Sequence, residues 1–236
     1  MGVLHMIHTV FAPGRTELAG NHTDHQKGRI LASAVDLGLF ADTEINGTDT
    51  IRISSGGYEP FEVTLSKLEP NPSEFGSSKA LVRGVAAAFG DLGLKTGGFN
   101  ASIRSTLPAG SGLSSSAAFS VLIGNVFSEL FNDSSVDKVV IARAAQSAEN
   151  TFFGKPCGLM DQLACSIGRT VYVDFSTNEI ESIDADFSSM GLTLSLTDTG
   201  GSHDGLNTSY ARIPADMCYI ANLFDVGVLA DVAAQN

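Results

Sequence analysis

The sequence predicts an α+β fold on three observations. Short β-branched or alternating runs open the chain, helical segments pair up in its middle, and short strand-like runs return after them. No internal repeat and no low-complexity linker divides it. Met6 to Phe11, apolar and β-branched, is the first strand. Ile51 to Ser54 and Phe61 to Leu65 form a pair around the turn Gly56-Gly57-Tyr58-Glu59-Pro60. A helix is predicted at Lys79 to Phe89, and Phe99 to Ser105 alternates as a strand that enters a glycine- and serine-rich loop. Helices follow at Ser115 to Phe131 and Val136 to Phe152. Thr170 to Asp174, Ile180 to Ile183 and Leu192 to Thr197 then read as short strands, and Pro214 to Phe224 as a last helix before an Ala/Val-rich tail.

Composition excludes several classes. With 43% hydrophobic and 17% charged residues, the 236-residue chain has material for a core. It has no run near the ~18 apolar residues of a membrane span. A net charge of −12 argues against a nucleic-acid partner, because phosphate backbones attract basic surfaces. Cys157, Cys165 and Cys218 are odd in number and without ligand-like spacing, and no signal peptide is visible, so reduced thiols in the cytoplasm are expected. Oligomeric state is not legible.

Three segments carry chemistry. The first is LPAGSGLSSSAA, residues 107 to 118, which runs into a helix. Gly110 and Gly112 free the backbone to take positive φ, so that successive N–H groups point into one concavity. A helix N-terminus adds unsatisfied donors and partial positive charge, and Ser114, Ser115 and Ser116 add hydroxyls for capping, phosphate or a metal ion. The blander reading is a flexible loop with a serine cap. A Walker loop is excluded, since no lysine lies between Leu107 and Asp133. A nucleophile elbow is excluded too, because Gly112-Leu113-Ser114 is not followed by x-Gly.

The second segment, residues 12 to 28, crowds Arg15, Glu17, Asn21, His22, Asp24 and His25 into a short span with Gly14 and Gly20. Such side chains give fixed partners to hydroxyls that both donate and accept, as in a polyol; the alternative is a solvated hairpin. The third, residues 148 to 162, sets Asp161 in an apolar stretch after Pro156 and Gly158. A carboxylate there calls for an N-cap, a salt bridge or a catalytic role. Glu149 ends the preceding helix, and a second carboxylate near a phosphate loop suits Mg²⁺.

Together and in this order, the segments resemble the GHMP kinase superfamily, and within it the galactokinase branch. The N-terminal signature Gly-Arg-Val-Asn-Leu-Ile-Gly-Glu-His-Thr-Asp-Tyr is met in register by Gly14, Arg15, Gly20, His22, Thr23 and Asp24. Pro108 through Ala117 matches the phosphate loop, and Gly154 through Gln162 matches Gly-x-Pro-Cys-Gly-x-Met-Asp-Gln without a gap. The resemblance implies an ATP-dependent kinase that uses Mg²⁺ and phosphorylates galactose at its C1 hydroxyl, with galactose and ATP as small-molecule partners. It makes Asp161 the catalytic aspartate and Arg15 its charge-stabilising partner. Asn21, His22, Asp24, Gly158 and Tyr210 become sugar contacts. Pro108, Gly110, Ser111, Gly112, Leu113, Ser114, Ser115 and Ser116 hold ATP, and Ser115 or Ser116 with Glu149 holds the metal. The implied fold is a ribosomal-S5-like N-terminal domain over residues 1–185, with residues 186–236 opening a ferredoxin-like C-terminal domain.

Departures qualify the substrate. Glu17 stands where the motif has Asn, Asn21 where it has Glu, and His25 where it has Tyr. A neutral Asn both donates and accepts, so contact at that position is retuned. The family's C-terminal glycine-rich motif is absent from these 236 residues. A sugar- and nucleotide-binding regulator without turnover, or a kinase for another hexose, are the alternatives.

Overall fold

The computed structural model describes residues 6–108, 110–197 and 207–233, with the backbone alone for 207–211 and 233. Strands β1 (His8–Ala19), β2 (Arg29–Ile45), β3 (Thr50–Ser55) and β4 (Tyr58–Thr64) come first. Helix α1 (Ser78–Asp91), β5 (Phe99–Ser105), α2 (Ser115–Phe131) and α3 (Lys138–Ser147) follow. After a π-helical turn at Ala148–Phe153 come α4 (Met160–Ile167), β6 (Thr170–Asp174), β7 (Glu179–Ile183), α5 (Asn207–Asn222) and α6 (Leu229–Ala233). The mixed architecture is the α+β class expected, and β5, α2 and β6 have the predicted bounds.

One sheet runs β4-β3-β5-β2-β6-β7, with β1 paired to β2 off this path. All pairings are antiparallel except β3 with β5. The organising strand is β2. Its first part, Arg29 to Ser33, pairs with β6, its last part, Leu39 to Ile45, pairs with β5, and β1 lies along its other edge. Periodicity predicts no element there, because Asp36 and Gly38 interrupt the apolar alternation in mid-strand. Gly38 is needed at that point: a side chain would run into the Ala12 carbonyl and the Phe11 ring.

The helices cover one face of the sheet. Val82, Val85 and Phe89 of α1, Val121, Leu122 and Phe127 of α2, and Ile141 of α3 bury against Ile51, Ile53, Phe99 and Ile103 of the strands. Phe127 sits between the rings of Phe89 and Phe99, with centroids 5.3 and 5.6 Å away. A smaller apolar cluster joins Leu163 and Ala164 of α4 to Ile30 and Val173. Such burial contributes about 25 cal/mol per Å² of apolar surface and holds the layers together. Among the described residues, no helix is long and apolar enough to cross a membrane.

Three sequence expectations are corrected. The first strand does not stop at Phe11 but continues through Arg15 and Glu17 to Ala19, because β2 supplies a partner along its length. Leu192 to Thr197 is not a strand: its leucines alternate, but all three are exposed and no neighbouring strand pairs with them among the described residues. The helix expected from Pro214 to Phe224 is α5, Asn207–Asn222, so Pro214 lies inside it and not at its start, and it is not the last, because α6 follows in the Ala/Val-rich tail. In addition, the helix predicted over Val136 to Phe152 changes winding at Ala148, where the π turn begins.

Close packing fixes that turn. A Cβ on Gly84 of α1 would stand 2.7 Å from Cα and Cβ of Ala148 and 2.9 Å from the Phe152 ring. Gly84→Ala is expected to destabilise the protein by about 1–3 kcal/mol, the usual cost of overpacking. A urea unfolding midpoint equal to that of wild type would show that the π turn yields freely.

Candidate active site

The glycine loop carries the backbone geometry predicted for it. Gly110 and Gly112 have φ of 69° and 70°, and Ser114 adds a third left-handed residue at φ 56° and ψ 55°. Left-handed residues at alternate positions turn N–H groups toward one side, the arrangement that makes an anion-binding concavity. The first backbone bond of α2 runs from the Ala118 N–H to the Ser114 carbonyl, 2.9 Å. The N–H groups of Ser115, Ser116 and Ala117 therefore precede the helical ladder and face the loop end of the helix dipole. No acidic residue occupies that first turn.

Strand β1 meets this loop through Gly14 and Arg15. A Cβ on Gly14 would lie 2.9 Å from the Leu113 carbonyl, and the Arg15 N–H donates to that same carbonyl at 3.2 Å. The approach is possible because the β1–β2 register breaks between Pro13 and Arg15, which leaves Gly14 out of the ladder just before pairing resumes at Arg15 opposite Ala34. The Arg15 side chain then spans two elements. Its Nε donates to Asp161 Oδ1 at 2.8 Å, and its Nη1 donates to the Gly112 carbonyl at 2.9 Å. Burial pulls the guanidinium pKa down, but the charge and hydrogen bond of Asp161 outweigh it and the value is raised.

Asp161 lies in the first turn of α4 and is 24% exposed. It does not cap the helix: Leu159 is the N-cap residue, and Asp161 Oδ2 accepts from the Ser114 hydroxyl. That hydroxyl makes no cap bond to α2, so its partner is the carboxylate and not the helix. Ser114 was legible only as a loop serine, since the contact joins residues 47 positions apart.

The turn after β1 gathers the polar residues. Thr23 closes it, its hydroxyl donating to the carbonyls of Gly20 and Arg29 at 2.7 and 2.8 Å. His22 takes a left-handed φ of 58°, and its ring lies 6.0 Å from that of His25. Asp24 accepts from the His25 N–H at 3.0 Å and packs its carboxylate directly on Gly158, where a Cβ would come within 1.6 Å of Asp24 Oδ2. Two expected contact residues are thus brought together at a glycine where any side chain would have to displace the Asp24 carboxylate. Asn21 is exposed on the same turn. Tyr210 lies outside the residues whose side chains are described.

A buried acid stands behind the loop. Glu149, in the π turn, is 1% exposed and accepts from Gln162 Nε2 at 3.2 Å; Ser116 supplies a further hydrogen bond, and Lys155 Nζ lies 3.8 Å away. Burial raises its pKa in spite of Lys155. Ser115 is exposed and Ser116 half-buried at the start of α2. Carboxylate and hydroxyl oxygens suit a hard cation, and two protein donors suffice for Mg²⁺, which keeps waters and takes substrate phosphates as its other ligands. Among the described residues there is no group of three or more His, Cys, Asp or Glu fit for a metal.

Sequence reasoning missed Gln26. The residue is 4% exposed; its Oε1 accepts from the Leu229 N–H at 2.9 Å and its Nε2 lies 3.7 Å from Cys218 Sγ, joining the turn to α5 and α6. Lys27 adds an ion pair to Asp231, 3.2 Å. Neither tie has a local signal, because both partners lie about two hundred positions downstream.

Comparison with known proteins places these features. The model of the GHMP kinases N terminal domain matches residues 79–169, and that of the galactokinase galactose-binding signature matches residues 4–41. The galactokinase of Clostridium tetani is 30% identical over 190 residues, 79% of this chain and 48% of that protein. The galactokinase of Pyrococcus furiosus is 36% identical over 178 residues, 74% of this chain and 49% of that protein. The chain spans about half the length of these curated relatives. In fold it is similar to Lactococcus lactis galactokinase in complex with galactose, with a TM-score of 0.77 at 21% identity over 93% of this chain and 57% of that one. The glycine loop, the strand that meets it and the matched sequence regions converge on one conclusion: the chain belongs to the GHMP kinase family and carries its N-terminal domain together with the galactokinase galactose-binding signature.

Proposed function

We propose that this chain forms the phosphoryl-transfer site of a galactokinase, which moves the γ-phosphoryl group of ATP to the C1 hydroxyl of galactose. The observation that carries the reading is the Arg15–Asp161 pair at the mouth of the glycine loop, tied to that loop at Gly112 and Ser114. The names of the curated relatives support the same substrate.

In phosphoryl transfer the protein chiefly aligns reactants and neutralises charge. The loop and the first turn of α2 offer backbone N–H groups to the phosphates, with Pro108, Gly110, Ser111, Gly112 and Leu113 shaping the concavity. Asp161 is held on both oxygens, by Arg15 and by Ser114, yet a carboxylate has about four acceptor positions, so lone pairs remain for the sugar's anomeric hydroxyl. Asp161 orients that hydroxyl and takes its proton, and the adjacent guanidinium offsets charge on the transferring group. His22, Asp24 and Asn21 on the turn, with Gly158 beneath Asp24, contact the sugar. Glu149 with Ser115 or Ser116 would hold Mg²⁺, which when bound neutralises the phosphate oxygens. Residues 1–185 form the N-terminal domain of this arrangement and residues 186–236 the opening of the C-terminal one.

The first test is ADP release by the 236-residue chain with Mg-ATP and a panel of hexoses. Galactose-dependent turnover is expected; nucleotide and sugar binding without turnover would favour the regulator instead. Asp161→Asn is expected to lower kcat about 10²- to 10⁴-fold while nucleotide affinity is kept, the range seen when a general base is removed. A kcat within a few-fold of wild type would remove Asp161 from the chemistry. Gly158→Ala displaces the Asp24 carboxylate and is expected to raise KM for galactose about 10- to 100-fold, with KM for ATP unchanged. Equal losses for both ligands would take Asp24 and Gly158 out of the sugar site.

A further inference from the structure

Glu17 is the acid near this centre with no role in the mechanism above. It lies two positions beyond Arg15 on β1, so both side chains leave the strand on one face. The ladder is regular across that step, Arg15 opposite Ala34 and Glu17 opposite Ala32, and it breaks on either side, between Pro13 and Arg15 and between Glu17 and Ala19. The two breaks set this short step apart and fix where the pair points. The charges felt by the Glu17 carboxylate are those of the site itself: Arg15, His22, Asp161 and Asp24.

Its hydrogen bonding sets it apart from the other acids of the site. Asp161 is held by Arg15 and Ser114, Asp24 by the His25 N–H, and Glu149 by Gln162. Glu17 Oε1 is shielded from solvent and accepts from no group among the described residues. A shielded carboxylate oxygen without a donor is unfavourable, and it persists where a ligand supplies the donor. Burial raises the Glu17 pKa against the pull of Arg15 and His22, which is the electrostatic side of the same deficit. The family motif has a neutral amide at this position and an acid four residues on; here the acid is Glu17 and the amide is the exposed Asn21.

We propose that Glu17 is a substrate-contacting residue whose carboxylate turns Oε1 out of its shielded position to accept a hydrogen bond from a hexose hydroxyl other than the one phosphorylated, and so selects the hexose. The inference rests on the sugar-kinase reading of the site. An ionised carboxylate accepts and cannot donate, so it demands an O–H from the substrate and rejects an analogue with fluorine in its place.

The test is titration of the 236-residue chain, wild type and Glu17→Gln, with galactose and its 2-, 3-, 4- and 6-monodeoxyfluoro analogues, in the presence of Mg²⁺ and a non-hydrolysable ATP analogue. One fluoro analogue is expected to bind wild type about 10- to 100-fold more weakly than galactose, the range for hydrogen bonds to a charged group. Glu17→Gln should weaken galactose by a similar factor and leave that one analogue nearly unchanged. Affinity for the ATP analogue should stay the same. Thermal stability provides a separate readout. Because the folded-state pKa is raised, the ionised Glu17 carboxylate costs stability above that pKa, so at pH 8 the Gln variant should melt no lower than wild type. Galactose affinity within about twofold of wild type, or the same loss for galactose and every analogue, would overturn the assignment. A loss of affinity accompanied by a lower melting temperature would overturn it in favour of a structural role. If wild type binds no hexose at all, the sugar-kinase reading fails and Glu17 with it; if wild type binds and only the coupling is missing, Glu17 alone falls.

Discussion

The bond from Arg15 to Asp161 holds the site together. It crosses 146 positions of sequence and ties the sheet, through β1, to α4, while the second arm of the guanidinium reaches the glycine loop at Gly112. The pair is largely enclosed, with side-chain exposures of 15% and 24%. Each charge is tolerated there because the other is present; removing one partner leaves an uncompensated charge. Much of the surrounding irregularity serves this contact. The register break in β1 frees the Arg15 N–H for the loop, Gly14 lets the two backbones touch, and the left-handed Ser114 turns its hydroxyl to the carboxylate.

Part of the backbone strain in the described residues lies near the same centre. His22, Lys27 and Ser114 adopt positive φ without being glycine, and the π turn at Ala148–Phe153 interrupts what the sequence presents as one helix. Non-glycine residues in this region cost free energy and persist where the surroundings over-determine them. Here those surroundings are named contacts: Thr23 clamps its turn through two carbonyls, and the π turn is pressed on Gly84. The π winding brings Glu149 inward, opposite Ser116 and Gln162.

Much of this was legible in the sequence because the signals were local. Phe99 to Ser105 alternates with period two, Ser115 to Phe131 is continuously helical, and Gly110 and Gly112 mark a loop that needs positive φ, so the predicted strand and helix have the observed bounds and both glycines take positive φ. The three motif segments were recognised as a set, and the structure brings Arg15, Asp161, Gly112 and Ser114 into contact and seats Asp24 on Gly158. What escaped was non-local. Strand β2 owes its length to partners on both edges, Leu192 to Thr197 alternates but lacks a partner among the described residues, and the bonds of Ser114 and Gln26 depend on residues that folding alone brings near. Glu17 was visible as a departure from a motif, but its unpartnered oxygen became apparent only once its neighbours were in place.

The amide of Gln26 reaches outside its own turn at both ends, its Oε1 accepting from the Leu229 N–H and its Nε2 lying against Cys218 as well as the His25 ring. The turn bearing His22 and Asp24 and the segment bearing α5 and α6 therefore share one local-opening equilibrium: neither separates from the other without leaving a buried amide unmatched. A ligand that orders the turn then also slows amide exchange in helices that it never touches.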